Sequence, residues 1–371
     1  MAADRITWPD TVKGVCILWI VYFHTYMSFS DHHLPWPLDP DFFAQSCAPL
    51  GPHASWLVCA ARAGFIAFSS LGFHGVGVFI ALSGFTLSFT LARKGDAAID
   101  WRTWYRSRLV RLFPLYWTAH VIYLVSPPAV HIEAIDYRFV LSFLGDRVIP
   151  LSMIFYYANA AWWYFGLLLQ LYLVFPLLHI ARARLGTSAF LAMSAVVTVG
   201  TRYLFLELWP SQYSGALMQG ALFTCRLFEF SAGMVIGAAY ARDRRATEGW
   251  LLSLPSIAAG ALLYAAGLYA WGHAFVLADG LIGCGLLLFL AGIADQLERV
   301  AWLQSKIATI GAFSYGLYLF HQPYVIWVGA QVRGGPILTF IPVALVTTAV
   351  LAVVSMWIER HVNALATRVL G

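Results

Sequence analysis

Lys13 and His24 stand eleven positions apart in an otherwise almost wholly apolar run that opens at Asp10. On a helix, eleven steps come within about 20° of a whole number of turns, so both side chains share a face with about 16 Å of rise between them. A histidine deep in an apolar helix should face a partner or a water-filled cavity. It is also the side chain whose ordinary pKa suits proton transfer near neutral pH. This spacing therefore fits a cation at the mouth of a site and a base or nucleophile within it. A neutral histidine bonded to a neighbouring helix fits it equally. Asp31, seven positions on, falls on the same face if the helix continues that far, where it would orient or charge-balance the imidazole; a loop start is the alternative.

Four other groups carry polar chemistry. Arg102, Arg106, Arg108 and Arg111 precede Phe113-Pro114-Leu115-Tyr116-Trp117. Arg108 and Arg111 are spaced i, i+3 and share a helical face. Their guanidinium forks suit phosphate; the alternative is an ordinary positive flank that binds lipid headgroups, although four arginines in ten residues exceed what membrane orientation requires. Ser83, in Ser83-Gly84-Phe85, places a hydroxyl mid-helix beside small residues that permit close packing. Arg226 and Glu229 form an i, i+3 pair inside an apolar stretch, which either neutralises itself or meets a substrate. His321 closes the run Ser314 to His321 just ahead of Pro323, whose ring frees backbone groups. No His, Cys, Asp or Glu grouping has metal-ligand spacing, and no glycine loop matches a phosphate-binding fingerprint.

The elements that must position these residues are membrane helices. The chain is 60% hydrophobic and only 11% charged, against roughly 25% charged in soluble domains. Stretches of about 20 apolar residues are expected to span a bilayer. Ten candidates occur: 11–29, 65–92, 112–128, 161–181, 187–207, 221–240, 250–270, 274–293, 309–329 and 337–358. Lys and Arg concentrate in alternate connections, which places both termini in the cytoplasm. The expectation is an all-α, polytopic protein forming one transmembrane domain over 1–371, with no appended soluble domain. Its net charge of +5 is spread thinly and gives no basis for nucleic-acid binding. Phe155-Tyr156-Tyr157 and Trp162-Trp163-Tyr164 sit where an interfacial aromatic belt is expected. Of five cysteines, Cys47 and Cys59 flank an outer loop and pair if it faces an oxidising compartment.

Taken together, these stretches resemble the membrane acyltransferase-3 family, the ten-helix enzymes that O-acylate bacterial surface glycans and related acceptors. The resemblance covers almost the whole chain. A basic residue, ten residues and a histidine match Lys13 and His24; an Arg-x-x-Arg motif matches Arg108 and Arg111; a Ser-Gly-Phe motif matches Ser83 to Phe85; and a Ser-Tyr-Gly-x-Tyr-Leu-x-His-x-Pro pattern matches Ser314 to Pro323. One departure is clear: where many members carry an acidic residue after the tryptophan matched by Trp163, this chain has Leu168 and Leu169.

The resemblance implies an acyl-CoA, most often acetyl-CoA, as cytoplasmic donor substrate, with no permanently bound cofactor. Lys13, Arg108 and Arg111 would meet its phosphates, His24 would serve as base or acyl carrier with Asp31 and Ser83 assisting, and Arg226, Glu229 and His321 would contact the acceptor, a glycan or lipid-linked saccharide. Membrane lipids would be the other partners, and the bacterial inner membrane the location. The rival reading is a transporter or flippase for a lipid-linked saccharide, which predicts paired broken helices in inverted repeats; no repeat is visible in the sequence.

Overall fold

The computed structural model describes residues 6–93, 99–126 and 135–370. Lys94, Pro127, Pro128 and Glu133 lie outside these. Among the described residues the chain is all-helical, without strands. Eleven longer helices build it: α1 (Trp8–Phe29), α2 (Trp56–Ser70), α3 (Gly75–Ala92), α4 (Trp101–Leu124), α5 (Trp163–Tyr203), α6 (Leu227–Arg242), α7 (Leu254–His273), α8 (Phe275–Gln296), α9 (Ala301–Ala312), α10 (Ser314–Gln331) and α11 (Ile337–Leu370).

Helix occupies each of the ten expected stretches, but fewer stand out as membrane spans. Six described helices are long and apolar enough to cross a bilayer, or seven if the bent pair Ser214–Ala221 and Phe223–Arg242 is one span. The difference has three sources. Helix α4 carries four arginines, and α10 carries Ser314, three tyrosines, His321 and Gln322, so neither is apolar enough. Helix α5 fuses two expected spans into 41 residues, about 60 Å of rise against a hydrocarbon core of about 30 Å. It breaks direction at Gly186, whose φ of 75° lies in the left-handed region open to glycine.

Helix α1 runs through the middle, packed on α9, α10, α3 and α11. Two close approaches set this arrangement. A Cβ on Gly84 would meet the Phe230 carbonyl and one on Gly233 the Ala81 carbonyl, so α3 and α6 touch backbone to backbone. A Cβ on Gly311 would likewise meet the Asp10 carbonyl, so α9 lies hard against the start of α1. Small residues are what permit such contacts in a bundle where apolar burial gives no preference for protein over lipid.

The other end of α1 is tied differently. The Gly334 N–H reaches the Phe29 carbonyl at 3.4 Å, and the Arg333 guanidinium pairs with Asp31 at 2.9 Å. Cys47 and Cys59 form a disulfide beside this end, clipping the segment between α1 and α2. The expected aromatic belt is not one: Phe155, Tyr157, Trp162, Trp163 and Tyr164 are all buried, and only Tyr156 of the six is exposed. Phe155, Trp162, Trp163 and Tyr164 join residues of α4 and α10 in the core of the bundle instead.

Candidate active site

The Lys13 end of the bundle holds a cavity of about 480 Å³, within the usual range for small-molecule sites. Its walls come from α1, α3, α4, α5, α10 and α11, and its polar lining includes Lys13, Ser83, Arg108, Arg111, Tyr164 and Glu359. The i, i+3 spacing of Arg108 and Arg111 thus turns both toward one space. Arg108 is half-buried, lies over the Trp104 ring at 5.6 Å, and leaves its Nε without a hydrogen-bond partner. A half-buried guanidinium with an unmet donor thus stands beside the cavity. Lys13 enters less freely than its position suggests, because its Nζ pairs with Asp10 at 2.7 Å.

Ser83 lines the same cavity. Its Oγ donates to the Phe79 carbonyl at 2.8 Å and lies 3.2 Å from the Tyr164 hydroxyl, a contact in which either hydroxyl can donate. Ser83 and Tyr164 thus share a hydrogen bond at the cavity wall. The neighbouring Gly84 serves the α3–α6 contact.

The cavity floor is Tyr164 and Tyr318, whose ring centroids stand 5.2 Å apart. Behind Tyr318 lies His321, with centroids 5.6 Å apart, and behind His321 lies His24, at 5.0 Å. The imidazoles touch: His321 Nε2 is 3.1 Å from His24 Nδ1. His24 is partly buried and His321 wholly so. The two histidines singled out in separate motifs thus form one pair, a short aromatic relay away from the cation-lined cavity.

Pro323 explains how α10 holds its histidine. Lacking an N–H, it leaves the Leu319 carbonyl without its helical donor. That carbonyl instead accepts from Asn159 Nδ2 at 2.9 Å and Trp162 Nε1 at 3.0 Å. The loop carrying these residues is fixed in turn by buried Arg147, whose Nη2 donates to the carbonyls of Phe155, Tyr157 and Asn159. Gln322 adds a further bond to the backbone of Ala161.

The structure places the remaining expected site residues in contacts of their own. Asp31 does not continue the face of His24: α1 ends at Phe29, Asp31 adopts a φ of 52°, and its carboxylate pairs with Arg333. His321 has both ring nitrogens engaged within the protein: Nδ1 faces the carbonyls of Leu317 and Tyr318, and Nε2 faces His24. Arg226 and Glu229 pair at 2.8 Å, and Asp279 joins Arg226 at 3.1 Å and also binds the buried Arg202. Two guanidinium groups and two carboxylates neutralise one another inside the bundle, which is how a membrane interior accommodates charge.

Two site residues escaped the sequence reading. Asp279 was the lone acid of an apolar stretch, and that rarity was its signal. Glu359 follows immediately after the last expected span. It is buried, lines the cavity, and accepts the Gly316 N–H at 2.8 Å. That N–H is one of the unpaired donors in the first turn of α10. Glu359 therefore caps the motif helix from α11 and places a carboxylate in the cavity wall.

A family model for an acyltransferase domain of the acyltransferase-3 type matches residues 6–358, nearly the whole chain. The chain belongs to the membrane acyltransferase-3 family. Comparison with the curated proteins and with the solved structures gives no match. The membership makes the protein a membrane-embedded acyltransferase, and its chemistry is to be sought where the cavity approaches the histidine pair.

Proposed function

We propose that this acyltransferase takes an acyl group, most simply acetyl, from acyl-CoA on the cytoplasmic side and transfers it to a hydroxyl of a glycan or lipid-linked saccharide at the outer side. The observation that carries the reading is the cation-lined cavity ending one aromatic step short of a histidine pair. In this reading all ten helical stretches traverse the bacterial inner membrane with both termini inside, so the cavity opens to the compartment that contains acyl-CoA. The disulfide between Cys47 and Cys59, at the far end of α1, fits an oxidising outer compartment.

Arg108 and Arg111 receive the phosphates, with Lys13 held beside them by Asp10. The pantetheine arm follows α1 inward along the roughly 16 Å between Lys13 and His24. Tyr318 turns aside to admit it, which brings the thioester to His24. As the acceptor oxygen bonds to the acyl carbon and the C–S bond breaks, His24 takes the hydroxyl proton and returns it to the departing thiolate. The products are the O-acylated acceptor and CoA thiol. Acid–base help of this kind contributes about 10²–10⁴-fold.

The test is reconstitution. Purified protein in proteoliposomes, given acetyl-CoA labelled in the acetyl group, should release CoA thiol and move label to an acceptor saccharide at a rate set by protein amount. Thiol release no faster than in empty liposomes, across a panel of acceptors, overturns the reading.

A further inference from the structure

We infer that His321 is a positioning residue that, together with the Ile20 carbonyl, holds the proton of His24 on Nδ1 and makes Nε2 of His24 the reacting atom. The inference rests on the reading of His24 given above and deepens it.

A neutral imidazole carries one donor nitrogen and one acceptor nitrogen. His321 Nδ1 lies 2.8 Å from the Tyr318 carbonyl and 3.2 Å from the Leu317 carbonyl. Carbonyl oxygens only accept, so the proton of His321 is on Nδ1 and its Nε2 carries the lone pair. That lone pair points at His24 Nδ1, 3.1 Å away. The Ile20 carbonyl approaches the same His24 nitrogen at 3.0 Å. Two acceptors converge on His24 Nδ1, so the proton of His24 is there. Its Nε2 is left with a free lone pair and no hydrogen-bond partner among the described residues. Backbone carbonyls start this sequence of assignments, and they cannot reverse their role.

The arrangement does the work that a carboxylate does behind other catalytic histidines, with a neutral group suited to an apolar bundle. When His24 Nε2 takes the acceptor's hydroxyl proton, the imidazolium that forms has its Nδ1–H already pointed at His321 Nε2, which stabilises the new charge. When Nε2 takes the acyl group instead, the N–C bond forms as the C–S bond breaks and His24 passes its Nδ1 proton to His321, leaving CoA thiolate, a His321 imidazolium and a neutral acylimidazole. The acceptor oxygen then bonds to the acyl carbon as the N–C bond breaks, His321 returns its proton to His24 Nδ1, and the acceptor's hydroxyl proton goes to the thiolate. His321 serves both routes without touching the substrate. Its position is secured by the Asn159 and Trp162 bonds to the Leu319 carbonyl and by Ser28 Oγ, which donates to the Ile326 carbonyl at 2.8 Å and ties α1 to α10.

Two substitutions separate positioning from packing. His321→Ala removes the acceptor, while His321→Gln keeps a side-chain amide oxygen near the place of Nε2. His321→Ala should lower kcat about 100-fold, at the low end of acid–base effects, with the acyl-CoA KM within about twofold of wild type. His321→Gln should recover at least about tenfold of that loss. Nitrogen-15 NMR of the histidine-labelled protein, with His24 assigned by the spectrum of His24→Ala, should show His24 protonated at Nδ1 in wild type and a larger Nε2-protonated fraction in His321→Ala, where, among the described residues, the Ile20 carbonyl is the one acceptor left at Nδ1. Equal loss in both variants, or a His24 tautomer indifferent to His321→Ala, overturns the inference. The two readings fail separately: full turnover by His24→Ala removes the catalytic reading of His24, whereas the tautomer still decides the pairing.

Discussion

Replacing Arg108 and Arg111 by Gln, singly, should raise the acyl-CoA KM unequally, and the structure sets the order. Both line the same cavity, but Arg108 is half-buried with an unmet Nε, whereas Arg111 is exposed. A unit charge 4 Å from a phosphate charge is worth about 1 kcal/mol in water and about 4 kcal/mol near a protein surface. Arg111 belongs near the lower figure, giving about a fivefold rise in KM. Arg108, partly shielded, belongs near the middle at about 2 kcal/mol, or about 30-fold. Because both would touch one ligand, the double variant should fall short of the product of the two effects. The assay is steady-state CoA release in nanodiscs at fixed ionic strength, with kcat and KM resolved, and with Arg102→Gln as a control outside the cavity. Raising the salt should shrink the Arg111 effect more than the Arg108 effect. An unchanged KM in both variants, or a control that matches them, would refute the phosphate assignment and return the arginines to membrane orientation.

Other expectations follow from packing and charge. Gly233→Ala should destabilise the detergent-solubilised protein by about 1–3 kcal/mol, read as a fall in unfolding temperature, because its Cβ meets the Ala81 carbonyl; wild-type stability would contradict the backbone contact between α3 and α6. Asp279→Ala should cost about 3–5 kcal/mol by leaving Arg202 and Arg226 short of a carboxylate, while the acceptor KM of the folded protein stays at its wild-type value; a raised acceptor KM at unchanged stability would restore a substrate role to this cluster. Hydrogen bonds from Thr103 hold the Asp100 carboxyl at the α4 N-cap below the usual carboxylate range. That cap is complete above the ordinary pKa of about 4 and is lost as pH falls through the lowered value, so Asp100→Asn should flatten the acid limb of the stability–pH curve, and an unaltered limb would count against the cap.

The all-helical bundle and the shared faces of its candidate residues were legible in the sequence because they follow from local rules. Apolar runs read as helices, and the spacing of Lys13 and His24, or of Arg108 and Arg111, fixes a shared face before any packing is known. What failed depended on neighbours. Asp31 was placed by extending a helix that stops at Phe29, and the aromatic runs at 155–164 looked interfacial because composition does not show that Arg147 folds their loop into the core. His321 was visible as a polar residue beside a proline. Its contact with His24 spans 297 positions of sequence, and no local pattern reports that. Asp279 was a single acid in a long apolar stretch, a signal that marks a need for a partner without naming it, and Glu359 stood just past the end of another, where a charge is ordinary.

The central claim is that His24 carries the acyl transfer. Its most direct test is acceptor-dependent release of CoA thiol by purified His24→Ala, beside wild type, with folding verified by the unfolding temperature of each. The account predicts a folded variant that still binds acyl-CoA with near wild-type affinity while turnover drops by at least about 100-fold. Wild-type turnover by the folded His24→Ala protein would contradict it.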